Sequence, residues 1–270
     1  MKEKTNSFLI PIVVCLTYFI MVIVNTLANT LPINGKGTGE VSDSYPNLFA
    51  PAGFTFAIWG LIYILLLVYS VYQLIHYKRA TDSKKQLFNE VGILFSISSL
   101  ANALWIFAWH YNYIGLSVLL MLGILVCLIK INLILKDADL SKTENFTIKL
   151  PFTVYFGWIT IATIANITTF LVSIHWNRFS LSEVFWTDLI IIIGTVLGTI
   201  CVLFFKSIAY GFVLIWAFIG IAAKHLSPNQ FDGKYPSVIV TICLAILMII
   251  AAQILLFRAR GQRTNVIDSR

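Results

Sequence analysis

Polar residues in this chain are gathered into short connections, and between them apolar residues run for about 20 positions at a time, the length a helix needs to cross the roughly 30 Å hydrocarbon layer of a bilayer. Only a helix satisfies its own backbone polar groups there. The runs predict eight spans, at residues 8–31, 53–76, 88–110, 113–135, 149–173, 184–205, 209–226 and 236–257. The seventh is the shortest and joins the sixth through Lys206, Ser207 and Ile208 alone. The fold class implied is all-α, a polytopic membrane helix bundle.

Composition agrees. The 270 residues are 59 % hydrophobic and 11 % charged, where a soluble domain carries about 25 % charged residues. The basic residues sort by side, as insertion requires of Lys and Arg. Lys2 and Lys4, then Lys78, Arg79, Lys84 and Lys85, then Lys136, Lys142 and Lys149, then Lys206, then Arg258, Arg260, Arg263 and Arg270 fall on one side; Lys36, Arg178, Lys224 and Lys234 fall on the other, and Lys130 lies within the fourth span. Both termini are therefore expected in the cytoplasm of a bacterial cell, with the chain in its cell membrane. The net charge of +7 is read as an insertion signal and an attraction to anionic lipid, not as a nucleic-acid footprint, because no folded domain presents it. The lipid bilayer is the expected partner.

The first span follows Met-Lys-Glu-Lys with no clear small-residue cleavage site after it, so it reads as a retained helix. Cys15, Cys127, Cys201 and Cys243 all fall inside spans, where they pack as small apolar groups. No connection is long enough for a soluble catalytic module, so function must sit between helices or in loops. The longest connection, 32–52, is rich in Gly, Pro, Ser and Asn, and Tyr45, Leu48 and Phe49 equip it to cap the helix ends. A faint echo links Gly53-Phe54 before Ile58-Trp59 with Gly211-Phe212 before Ile215-Trp216, the kind of sign a duplicated transporter leaves.

Three segments carry a family pattern. The second span reads Pro51-Ala-Gly-Phe-Thr-Phe-Ala-Ile-Trp59-Gly-Leu-Ile-Tyr63, the third holds Asn102-Ala-Leu-Trp105, and the fifth holds Tyr155-Phe-Gly-Trp158-Ile-Thr-Ile-Ala162-Thr163-Ile-Ala-Asn166. In order and spacing these resemble the TspO/MBR family, the tryptophan-rich sensory proteins related to the mitochondrial translocator protein (peripheral benzodiazepine receptor). The chain departs from that pattern in keeping one Pro of a Pro-Pro pair, in a Phe56 to Trp59 spacing one residue short, and in having Leu48 and Phe49 near the place of a loop Trp. The resemblance implies a TspO-like five-helix membrane bundle over 1–173, with three additional transmembrane helices and a basic tail over 174–270 in the same membrane domain. It also implies a hydrophobic planar ligand, porphyrin or haem, held by Pro51, Phe56, Trp59, Tyr63, Asn102, Trp105, Tyr155, Trp158, Ala162 and Asn166, and a homodimer.

The residues themselves point the same way. Asn25, Asn29, Trp59, Tyr63, Asn102, Trp105 and Asn166 all lie in the outer half of their spans. At 1.5 Å per residue, Trp59 is about 9 Å and Tyr63 about 15 Å below the start of the second span, with Trp158 roughly 22 Å deep in the fifth. Amides avoid lipid, so they should turn inward. Flat rings with a few amide groups suit a large planar hydrophobic molecule. The same residues also serve as interhelical glue and interface anchors in other membrane proteins.

Other chemistry finds little footing. His110, His175 and His225 each end a span on the outer side, but no spacing links them as metal ligands. Asp188 and Glu183 read as boundary acids. Leu74-Ile-His-Tyr77-Lys-Arg79 formally fits a sterol-recognition pattern but follows the second span. The family that the chain resembles carries that segment after the fifth, where Ser173-Ile-His-Trp-Asn-Arg178 lacks the Tyr, so sterol binding is not assigned. No nucleophile with a paired base, no His-Glu-x-x-His and no paired buried carboxylates occur, so no catalytic or metal residue is assigned. The expectation is a binding or sensory membrane protein of TspO type; the alternative is a small-molecule transporter or permease subunit.

Overall fold

The computed structural model describes residues 8–31 and 33–268, with side chains described as far as 259. Lys2, Lys4 and Arg270, and the side chains of Arg260 and Arg263, lie outside the described residues. The chain is all-helical, and eight helices are long and apolar enough to cross a membrane: α1 (Leu9–Thr30), α2 (Ile58–His76), α3 (Asp82–His110), α4 (Ile114–Asp137), α5 (Leu150–Ser173), α6 (Glu183–Phe204), α7 (Ile208–Leu226) and α8 (Pro236–Asp268). This is a multi-pass integral membrane protein. The seventh span is a full helix of 19 residues, and its tight connection works because Lys206 takes a left-handed φ of 50° while the Ser207 hydroxyl accepts from Tyr210 N.

Two ends run beyond the apolar runs. Thr81 caps α3 by accepting from Lys84 N, so the helix starts at Asp82, six residues before its apolar stretch. Similarly, α8 continues to Asp268. The start of α5 is prepared by a capping box of Ser141 and Glu144, an ion pair from Lys84 Nζ to Glu144 Oε1 at 2.9 Å, and one π-helical turn over Asn145–Lys149.

The chain divides into two compact units. The first comprises the residues up to Val41 together with Ile58–Ile159; the second comprises Ser42–Ala57 and Thr160–Arg270. Helix α5 contributes its first part to one and its second part to the other.

In the first unit α3 is the hub, packing on α1 and on α4, while α1 also meets α2. Its apolar window is 61 % buried, against 33 % for α1. The sequence explains this placement, since α3 carries Gly92, Ser96, Ser98, Ser99, Asn102 and Ala103, small or polar residues that let helices approach without a lipid-facing surface. Gly92 is one such approach: a Cβ there would sit 3.0 Å from Gln73, Ile10 and Val14 side-chain atoms.

In the second unit α7 is the most buried helix, at 56 % of its window, and packs with α6 and α8. The connection from Ser42 to Ala57 is strapped to this helix: Lys224 Nζ pairs with Asp43 Oδ1 at 2.8 Å, His225 Nε2 lies 2.8 Å from Leu48 O, Ala52 N donates to Gly220 O at 3.0 Å, and Trp216 Nε1 donates to Thr55 O at 3.0 Å. Leu48, Phe49 and Ala50 are buried, so this part of the loop is a packed cap. The two echoing segments differ locally, since Gly53–Ala57 forms a 3-10 turn ahead of α2 whereas Gly211 and Phe212 lie within α7.

Gly220 makes the strap possible, since a Cβ there would collide with the wholly buried Thr55 side chain. Gly220→Ala is expected to lower stability by about 1–3 kcal/mol through overpacking. By contrast, Gly60→Ala adds a methyl that meets nothing within 4 Å and should be neutral or gain up to about 1 kcal/mol of helix propensity. Thermal unfolding of the detergent-solubilised protein separates the two; equal midpoints would show that the turn gives way freely.

Candidate ligand-binding site

Three helices of the first unit bring a chain of buried polar groups together. Asn25 on α1 donates from Nδ2 to Oδ1 of Asn102 on α3 at 2.7 Å, and Asn102 Nδ2 donates to the Tyr155 hydroxyl on α5 at 3.2 Å. All three are 4 % exposed or less. Asn25 also donates to Met21 O at 2.9 Å, one turn back on its own helix. With this sharing, each amide has partners where water is absent, which removes the penalty of burying it.

Aromatic rings build outward from that chain. Trp59, in the first turn of α2, meets Tyr155 edge-on at 5.9 Å and Trp158 edge-on at 6.1 Å. On its other side it stacks with Tyr63, one turn along, at 5.5 Å and 21°. Tyr155 and Trp158 share a face of α5 because they are three residues apart, and both are buried, whereas Trp59 and Tyr63 remain half-exposed. The Tyr63 carbonyl is held in turn by the Tyr18 hydroxyl at 3.0 Å. The result is a fixed base of amides and buried rings beneath the half-buried indole of Trp59 and phenol of Tyr63. These named side chains include no carboxylate, imidazole or amine, so the arrangement can stack and hydrogen-bond.

Of the ten residues the sequence nominated, Trp59, Tyr63, Asn102, Tyr155 and Trp158 are thus joined. Trp105 belongs to the same unit and is buried, stacked on Trp109 at 5.4 Å, whose Nε1 donates to Thr38 O at 3.1 Å. Pro51, Phe56, Ala162 and Asn166 belong to the second unit, where Pro51 and Asn166 are buried and Phe56 and Ala162 half-buried. Sequence reasoning treated Asn25 mainly as glue and did not pair it with Asn102; 77 positions separate them and only the fold reveals the contact. Asn29 donates to the Asn25 carbonyl of its own helix. Of the outer histidines, His110 in the first unit has Nδ1 2.8 Å from Ile106 O, while His175 and His225 lie in the second.

An all-helical multi-pass membrane protein with an aromatic cluster seated on buried amides is the class these features define. A family model described as TSPO-like protein matches residues 11–256, and the chain belongs to that family. The match runs past residue 173, where the quoted motifs end, and takes in α6, α7 and most of α8. Neither a search of curated proteins nor one of solved structures finds a match.

Asn102 sits between two partners, so the energetics should be coupled. A double-mutant cycle of Asn102→Ala with Tyr155→Phe is expected to give a coupling energy of about 0.5–2 kcal/mol, the range of interhelical polar contacts in membranes. Chemical or thermal unfolding in detergent measures it; strict additivity would show that the hydrogen bond carries no weight.

Proposed function

We propose that this TspO-type membrane protein binds a hydrophobic planar ligand of tetrapyrrole type against the half-exposed rings of Trp59 and Tyr63. The observation that carries the reading is the support beneath those rings: Trp59 is edge-packed on two buried aromatics, one of which is hydrogen-bonded to Asn102. A ring system already held in place loses little freedom when a flat ligand stacks on it, and each aromatic contact adds about 0.5–1.5 kcal/mol beyond area burial. The protein would then sense by occupancy.

Titration of the purified protein with protoporphyrin and with haem, followed by ligand absorbance and tryptophan quenching, tests this. Saturable binding is expected in the natural chain, weakened about tenfold or more, or about 1.4 kcal/mol, in Trp158→Phe and in Asn102→Ala. Circular dichroism controls for folding. Binding that neither substitution alters would remove the assignment of the site while leaving the fold untouched.

The sidedness of Lys and Arg supports a cell-membrane topology with both termini in the cytoplasm. A fluorescent protein fused to the C-terminus should be bright and an alkaline phosphatase at the same point inactive; the reverse pattern would invert the topology.

A further inference from the structure

In the second unit the last turns of α5, the connection to α6, the first turns of α6 and Pro46-Asn47 enclose a cleft of about 390 Å³. Its walls combine indole and aliphatic surface with polar side chains. Trp176 and Trp186 meet edge-to-face at 4.9 Å and 63°, and Trp186 Nε1 is committed to Arg178 O at 2.9 Å, so what Trp186 offers a visitor is ring surface. Leu171, Val172 and Ile190 carry the apolar wall down into the membrane-spanning part of the two helices.

Most polar groups of the lining are already engaged. Asn47 donates to Tyr45 O and accepts from Phe49 N and Ala50 N; the Thr168 and Thr187 hydroxyls donate to Ile164 O and Glu183 O. Glu183 uses Oε1 to accept from Leu48 N at 3.1 Å. Among the described residues the charged or ionisable groups of the lining left with no hydrogen-bond or ion-pair partner are the Arg178 guanidinium, the His175 ring and Glu183 Oε2. A cation and an anion that line one cleft without pairing offer complementary contacts to a ligand that carries both signs. The connection that carries the cation is itself built for a fixed shape, because His175, Arg178, Phe179 and Ser180 hold φ of 52°, 56°, 50° and 62°, a region that such side chains occupy only when surroundings enforce it.

We propose that this cleft binds a phosphate–ammonium zwitterion of the phosphoethanolamine class, carried by a membrane lipid. The guanidinium of Arg178 matches a phosphate with paired N–H donors, and His175 adds a further donor. The primary ammonium reaches the free oxygen of Glu183 and the indole faces of Trp176 and Trp186, which attract a cation through the ring quadrupole. The acyl stem then follows Leu171, Val172 and Ile190 into the hydrocarbon. Tryptophans at the ends of spans sit at headgroup depth, which places this chemistry where such lipids are. The proposal rests on the second unit alone and stands apart from the aromatic site of the first.

Native mass spectrometry of the full-length protein reads the site directly. The probes are short-chain phosphatidylethanolamine, phosphatidylcholine, phosphatidylglycerol and soluble glycerophosphoethanolamine. Phosphatidylethanolamine is expected to bind about tenfold or more tightly than phosphatidylcholine, which has no N–H to give Glu183, and than phosphatidylglycerol, which has no cation. Arg178→Gln and Glu183→Gln should each reduce that binding about tenfold, while Arg79→Gln leaves it unchanged. Arg178 is exposed, and Gln at 183 keeps an oxygen for Leu48 N, so neither change should unfold the protein; circular dichroism checks this. Glycerophosphoethanolamine binding as tightly as the lipid would support the zwitterion recognition and make the free headgroup the ligand. Equal binding of the three lipids, or full retention by Arg178→Gln, overturns the site.

Discussion

Two apolar helices in hydrocarbon gain nothing by hiding from their solvent, because lipid tails are as apolar as they are. What brings them together is close backbone approach at small residues and the need of buried polar side chains for partners. Both units follow this constraint. In the first, α3 is the hub because its serines, Gly92 and Asn102 are the residues least suited to lipid. In the second, α7 is the most buried helix, and its Gly211 and Gly220 lie against the side chains of Gln253 and Thr55. Many long aliphatic residues point elsewhere, with Leu61, Ile64, Ile193, Leu197, Leu244 and Leu247 all exposed.

The same constraint turns the connection after α1 into structure. A loop at a helix end has backbone N–H and C=O groups that no ladder satisfies. Here the carbonyls of Leu48 and Thr55 are met by His225 and Trp216, and the Leu48 N–H is met by Glu183. Lys224, 7 % exposed, is tied to the much more exposed Asp43. A charged residue at the end of a buried helix is tolerated because its partner reaches toward water. The loop and the ends of α6 and α7 therefore form one packed cap, and Gly220 is where its fit is tightest.

How much of this could be read from the sequence follows from what each feature depends on. The eight spans were legible because span formation depends on local length and apolarity, which a single chain displays. Their ends were less so: Thr81 starts α3 ahead of its apolar run by hydrogen-bonding chemistry that hydropathy does not register. For the site, depth placed Trp59, Tyr63 and Asn102 in the outer half with Trp158 deeper, and the family motif supplied Tyr155; the fold joins these five through ring contacts and a hydrogen bond. Depth says nothing of rotation, however, so the stacking of Trp105 on Trp109 and the pairing of Asn25 with Asn102 had to come from the fold. The partners of Lys224 and His225 lie 181 and 177 positions away, beyond any local signal.

The amide chain under Trp59 bears on what the aromatic cluster can do. If Asn25, Asn102 and Tyr155 were waiting for a ligand, each would be an unsatisfied polar group in hydrocarbon, and the bundle would be unstable without its guest. Instead they satisfy one another, so any contribution to the proposed recognition would be indirect: they hold the ring of Tyr155, against which Trp59 packs. On the function proposed above, discrimination among ligands would fall to the half-exposed residues, which would select for flatness and apolar area rather than for a pattern of hydrogen bonds. A site of the proposed kind would accept a class of planar molecules, and its rigidity, not a specific polar contact, would determine how tightly they are held.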